Sequence, residues 1–228
     1  MTLRLRSDER GLTLAELLVT IALLSVVMTL VVTMFVSFST ALRSDRAASD
    51  NTAAATIAMN EVTRVIRSAT AVEDKDGNLL PAIVEAGRAT ITVHAYLDTT
   101  SVKPRPVKVV FTINSARELI EERWAGVPVT GKTNAFGFPA RTSTRTVVRQ
   151  IDRGASGTNA IFTFFDPDNT AFVLANTAAL SSTSRNNVAA VQVRLKVQTD
   201  STGRAKPAVL QNLVGMPNLG VTRLDVSS

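Results

Sequence analysis

Hydrophobic and polar positions divide the chain into two regimes. From Leu17 to Leu42 no charged residue occurs, and about 20 apolar residues suffice to cross a bilayer as a helix. Beyond Arg43 the sequence turns rich in Ala, with Ile57, Val62, Val65, Ile66 and Ala69 at three- and four-residue spacings. That spacing predicts a single apolar stripe on a helix, with Glu61 and Arg64 one turn apart on the opposite, solvated side. No Gly interrupts residues 12–76 and no Pro occurs before Pro81. The pattern predicts one continuous helix over residues 12–72, membrane-spanning over 12–42 and amphipathic over 43–72. The run Asp74-Lys75-Asp76-Gly77-Asn78 is a turn that ends it.

After Gly77 the period falls to two. Residues 89–97 alternate and are β-branched, as expected of a half-buried strand. Residues 107–113 and 118–124 read as the arms of a hairpin around Asn114-Ser115-Ala116. Residues 146–151, 160–165 and 188–197 read as further strands, the last with Val191, Val193, Leu195 and Val197 on one face. Residues 128–144, rich in Gly, Thr and Pro, read as a long loop. The expected fold class is α+β: a long N-terminal helix packed on an antiparallel sheet, lollipop-like, with residues 73–228 forming the β-rich domain.

One residue does not fit a simple anchor. Glu16 stands at the start of the uncharged run, and a carboxylate in the centre of a membrane costs about 2.5–3.5 kcal/mol on insertion scales. A secretory signal peptide, with Ser39-Thr40-Ala41 as its cleavage site, should have an apolar core of only about 7–15 residues. An ordinary single-pass anchor matches the length but has no use for Glu16. A buried core helix is rarely this long.

A short charged leader ends in Gly11, an apolar residue (Leu12) follows, and Glu16 is the fifth residue after that glycine. This arrangement resembles the class III signal of type IV pilins and pseudopilins. The resemblance implies that residues 1–11 are a leader removed by a prepilin peptidase between Gly11 and Leu12. It further implies that Leu12 is N-methylated and that Glu16 acts in assembly. Implied partners are other pilin or pseudopilin subunits, the peptidase, an assembly platform protein and membrane lipid. The implied location is the cytoplasmic membrane, with the N-terminus inside, and then a cell-surface or periplasmic filament. Leu12 stands where many members have Phe, and Thr33 where many major pilins have a kinking Pro. The strand Ala160-Ile161-Phe162-Thr163-Phe164-Phe165-Asp166, then Arg185 before residues 188–197, and the hairpin ending in Glu121-Glu122-Arg123-Trp124 resemble the larger minor pilins and pseudopilins of the J or W type.

Charge refines this picture. The net charge is +6, and the leader carries Arg4, Arg6 and Arg10 against Asp8 and Glu9. Basic residues beside a helix start favour keeping that end cytoplasmic. There is no Cys, so neither a disulfide nor a thiolate metal site can form.

No constellation for catalysis emerges, and no cofactor is expected. The single histidine, His94, lies mid-strand, where a structural role is the plainer reading. Two acidic turns, Asp74/Asp76/Asn78 and Asp166/Asp168/Asn169, are oxygen-rich enough to be weak calcium candidates. Neither has the Glu that closes an EF-hand loop, and Asp and Asn favour plain turns as well. Arg141, Arg145, Arg149 and Arg153 recur every four residues. They read as a solvated face paired with acids, or alternatively as a stripe that grips DNA in a membrane-anchored receptor.

Overall fold

The computed structural model describes residues 13–97, 104–132, 134–153, 159–175, 178–198 and 206–216. The chain forms two compact units, Met1–Arg46 and Ala47–Ser228. Helix α1, Leu14–Arg67, contributes its first part to one unit and residues 47–67 to the other.

In the first unit α1 is apolar on every side, and none of its most apolar window is buried. Leu24 and Phe35 are exposed like their neighbours. A helix this long, uncharged and uncovered has lipid as its natural surroundings. The first part of α1 is a membrane-spanning helix.

In the second unit β1 (Val72–Glu73) pairs with β2 (Leu79–Leu80) around the turn at Gly77, whose φ of +87° suits a residue without Cβ. A five-stranded antiparallel sheet follows, in the order β3 (Ile83–Ala86), β4 (Thr90–Ala95), β5 (Val107–Ile113), β6 (Leu119–Ala125), β9 (Ser143–Val148). Between β6 and β9 the chain makes a small hairpin of β7 (Val127–Pro128) and β8 (Phe136–Gly137). A three-stranded antiparallel sheet consists of β10 (Phe162–Phe165), β11 (Ala190–Val197) and β12 (Ala208–Gly215), with the short helix α2 (Ser182–Asn186) before β11.

Val62, Val65 and Ile66 of α1 share one buried cluster with Val109 and Phe111 of β5, Leu119 of β6, Phe162 and Phe164 of β10, and Val191, Val193, Leu195 and Val197 of β11. Each fully buried side chain of this size contributes about 1.5–3 kcal/mol of transfer free energy. Two polar contacts tie residues 47–67 of α1 to β12 and the residues leading into it: Asn51 Nδ2 donates to the Lys206 carbonyl (3.1 Å) and Asn212 Nδ2 to Thr63 Oγ1 (3.3 Å).

The expected elements need several corrections. The helix ends at Arg67, not near Val72, because the sheet captures the chain: Ala69 bridges to Ala95, and the Thr70 N–H donates to the His94 carbonyl. Ile57 is exposed, and the buried stripe runs instead through Ala55, Ala58, Met59, Val62, Val65 and Ile66. Strand β4 is buried on both faces over Ile91, Thr92, Val93, His94 and Ala95, not half-buried. The strand expected at 146–151 starts earlier, at Ser143, and ends at Val148, with Ile151 forming a separate bridge to Val197. The expected loop 128–144 holds most of the β7–β8 hairpin, which starts at Val127, and the start of β9 at Ser143. The hairpin arms β5 and β6 and the buried face of β11 stand as expected.

Candidate functional site

The helix start is built by two side chains. The Glu16 N–H donates to Thr13 Oγ1 (3.3 Å), while Glu16 Oε2 accepts from the Thr13 N–H (3.0 Å) and the Thr13 hydroxyl (2.9 Å). This reciprocal arrangement is a capping box, which satisfies backbone donors that the first helical turn leaves without partners. Glu16 Oε1 has no hydrogen bond among the described residues, so the carboxylate keeps one oxygen for a further partner. Thr13 escapes a reading led by charge, although Thr-x-x-Glu before an apolar run is the signature of such a cap. Further along, Thr20, Thr29, Thr33 and Thr40 each return their hydroxyl to a carbonyl one turn back, which hides their polarity within the apolar helix. Gly11 and Leu12 lie outside the described residues.

Residues 6–32 match a family model, the prokaryotic N-terminal methylation motif. The chain carries a type IV pilin/pseudopilin signal. The match covers Gly11, Leu12, Thr13 and Glu16 together with the first half of the uncharged run. Architecture agrees with it: a long N-terminal helix leads into antiparallel sheets, as in pilins. No curated protein matches the chain.

The pilin signal leaves the arginine stripe to be placed. Arg141 pairs with Glu122, Arg149 Nε with Glu118 (3.1 Å), and Arg145 with both Glu121 (2.7 Å from Nε) and Glu61 (2.6 Å). Three of the four arginines thus face acids, two of those acids (Glu121 and Glu122) on the neighbouring strand β6, and the solvated-face reading describes these three. Arg153 does not join this set, although it has interactions of its own.

Glu61, expected on a solvated face, is instead mostly covered. Its Oε1 accepts from Arg64 (2.7 Å), Arg123 (2.8 Å) and Arg145 (2.6 Å). Burial pushes its pKa up, but the Arg64 hydrogen bond and the charges of Arg64, Arg145 and Arg123 outweigh that and hold it below the ordinary value. Beside it Glu121, fully buried on β6, takes Arg123 on one oxygen and Arg145 on the other. The network joins α1 to β6 and β9 within the second unit.

Both acidic turns singled out in the sequence are closed by hydrogen bonds to their first carboxylate. Asp74 Oδ1 accepts from the N–H groups of Asp76 and Asn78 (2.8 Å each), and Asn78 Nδ2 reaches Oδ2 (3.2 Å). The Asn78 N–H is the main cause of a lowered Asp74 pKa. The second candidate, Asp166 with Asp168 and Asn169, is also a hydrogen-bonded turn. Asp166 Oδ1 accepts from the Thr170 N–H (2.8 Å), and the Asn169 N–H closes the turn on the Asp166 carbonyl (3.0 Å) with a φ of 60° at Asn169. Asp168 is exposed in that turn. Among the described residues no three Asp, Glu, His or Cys side chains gather as a metal site would require.

Proposed function

We propose that the chain is a minor pilin or pseudopilin, a structural subunit rather than an enzyme, of a type IV pilus or a type II secretion-like filament. The observation that carries this reading is the coincidence of Gly11, Glu16 and the uncharged run with the methylation motif. In this reading a prepilin peptidase cuts between Gly11 and Leu12, and Leu12 is then N-methylated. The basic leader keeps the N-terminus cytoplasmic, so the β-rich unit stands outside, first on the membrane and later on the filament. The aromatic strand β10, followed by Arg185 and β11, favours the J or W type.

Assembly then follows from the chemistry of Glu16. Before assembly its Oε2 caps the helix through Thr13 and its Oε1 is available. After cleavage each subunit carries a cationic amine at Leu12. When helices leave the bilayer and stack, Glu16 of one subunit meets the amine of a neighbour. Leaving a buried charge without its partner costs about 3–5 kcal/mol, so the pair fixes the axial register of each incoming subunit. Contacts of this head-to-tail kind, whose rotation does not close, build a helical filament. Other subunits, the peptidase, an assembly platform protein and lipid are the partners this route requires.

The test is competition. Glu16→Ala should be inserted and cleaved like the unsubstituted protein, yet be recovered far less often in filaments formed alongside it. Equal recovery would sink the charge-pairing mechanism.

A further inference from the structure

Strand β12 is an edge of the three-stranded sheet, and its backbone shows which groups that edge leaves over. On β11 the Arg194 N–H donates to the Ile161 carbonyl (2.8 Å), and the Lys196 carbonyl accepts from the Asp152 N–H (2.7 Å). The even-numbered residues of β11 are thus turned away from β12. Its odd-numbered ones bond to β12, opposite Leu210, Asn212 and Val214. On β12 the same alternation aims the N–H and C=O groups of Val209, Gln211 and Leu213 outwards. Among the described residues none receives them. The side chains of these three residues are exposed as well, Val209 by 48% and Leu213 by 49%.

Other edges of the two larger sheets are guarded. Ala179 bridges to Gly87 and the Leu180 N–H donates to the Ala86 carbonyl, which covers β3. Ala171 bridges to Phe165 and the Phe172 N–H donates to the Phe164 carbonyl, which covers β10. Strand β9 carries Arg145, turned inwards to Glu61 and Glu121. Covering, inward charge, Pro and bulges are the usual means of keeping an edge from pairing. Over its eight residues β12 has no charge, no Pro and no bulge.

We propose that the β12 edge docks an extended segment of another protein, which joins the sheet as a further strand and is apolar at alternate positions with an acid between them. Outward donors and acceptors at every second residue are matched by the backbone of a strand. On the exposed face Val209 and Leu213 flank Gln211, so the incoming side chains are apolar where they meet those two. Charge fixes the residue between. Arg194 lies opposite Gln211 on β11, and Lys206 stands at the approach to β12; both are exposed, and neither is ion-paired among the described residues. Strands β11 and β12 contain no acid, so a second copy pairing through β12 supplies no counter-charge, whereas an acidic strand does. The proposal rests on the second unit alone and is independent of the pilin reading.

The test follows amide exchange in the full-length protein in detergent micelles, with the peptide Thr-Val-Thr-Glu-Thr-Val-Thr added to about 1 mM, where weak binding is measurable. Without peptide, the Val209, Gln211 and Leu213 amides should exchange at least about tenfold faster than those of Leu210 and Asn212. The peptide should slow the first set and leave the second unchanged. Methylating alternate backbone nitrogens gives two further peptides. One should bind like the parent, and the other about two- to tenfold more weakly for each hydrogen bond lost. Lysine in place of the glutamate should weaken binding about two- to fivefold, and Arg194→Gln should shrink that difference. Gln211→Pro removes an outward N–H without touching the ladder to β11, so it should abolish the protection and leave circular dichroism unchanged. If that variant does not fold, the two methylated peptides decide the matter on the unsubstituted protein. Equal binding of the methylated pair, or of the glutamate and lysine peptides, would overturn the proposal. So would outward amides that are already slow without peptide. Slowing that grows with protein concentration would mean a second copy, and slowing lost when the chain is ended at Met216 would mean its own last residues.

Discussion

Glu61 of α1 and Arg145 of β9 meet at 2.6 Å, tying the helix to the edge strand of the five-stranded sheet. Glu121 lies fully buried beneath them and binds the same guanidinium. The ion pairs differ in their surroundings, and that difference decides their worth. Arg141–Glu122 lies at an exposed position, where such pairs contribute about 0–1 kcal/mol. Hydrogen bonds between charged groups with a buried member are worth about 1.5–3 kcal/mol.

Glu121→Gln should therefore lower the unfolding free energy of the second unit by about 1.5–3 kcal/mol, and Arg141→Gln by less than about 1 kcal/mol. Urea denaturation of the two variants checks this. Equal effects would mean that burial does not set the worth of these pairs.

The lowered Glu61 pKa gives a pH dependence with a definite sign. A depressed carboxylate stabilises the fold fully above its ordinary value of 4.5 and loses that contribution as pH falls through its folded value. Midpoints of thermal unfolding should accordingly drop below about pH 4.5, and Glu61→Gln should show a shallower drop there. Parallel curves for the two proteins would remove Glu61 from the account.

A fragment of residues 47–228 contains the whole buried cluster and none of the apolar span. It should fold as a water-soluble α+β monomer, seen by circular dichroism and sedimentation. Phe111→Ala within it should cost about 3–5 kcal/mol, through lost transfer energy and the cavity left behind.

The same fragment separates scaffold from DNA receptor. With Arg141, Arg145 and Arg149 already engaged by acids, DNA binding should be weak. Its salt slope should change by less than about one unit in an Arg141→Gln/Arg149→Gln double variant, since each phosphate contact contributes about one. A steep slope abolished by those two substitutions would favour the receptor.

Much of this was legible in the sequence because it is local. The membrane span needs only the absence of charge from Leu17 to Leu42, and the buried face of β11 only the alternation of Val191, Val193, Leu195 and Val197. What escaped depends on distant partners. Glu61 looks solvated beside Arg64 in the sequence, because Arg123 and Arg145 reach it from strands far along the chain. The helix end at Arg67 is set by pairing with β4, and no Gly or Pro marks it. Strand β12 escapes a period-two reading because its apolar residues come in pairs, Val209-Leu210 and Leu213-Val214. That Asp166 caps the backbone of its turn through the Thr170 N–H is visible only in the folded chain. At the helix start the lone charge of Glu16 stands out in the sequence, whereas the Thr13 cap shows only through the Thr-x-x-Glu spacing before the apolar run.

Gly11→Val should block processing, because a bulky side chain replaces the residue that ends the leader, and full-length chain should then accumulate in the membrane. A variant still beginning at Leu12 would contradict the assignment of the cut.

The central claim is tested most directly by mass spectrometry of the N-terminal peptide of the protein expressed in a host with a prepilin peptidase. The account predicts a peptide that begins at Leu12 and carries one added methyl group on its amine. A chain that begins at Met1, or one cut after Ala41, would contradict it.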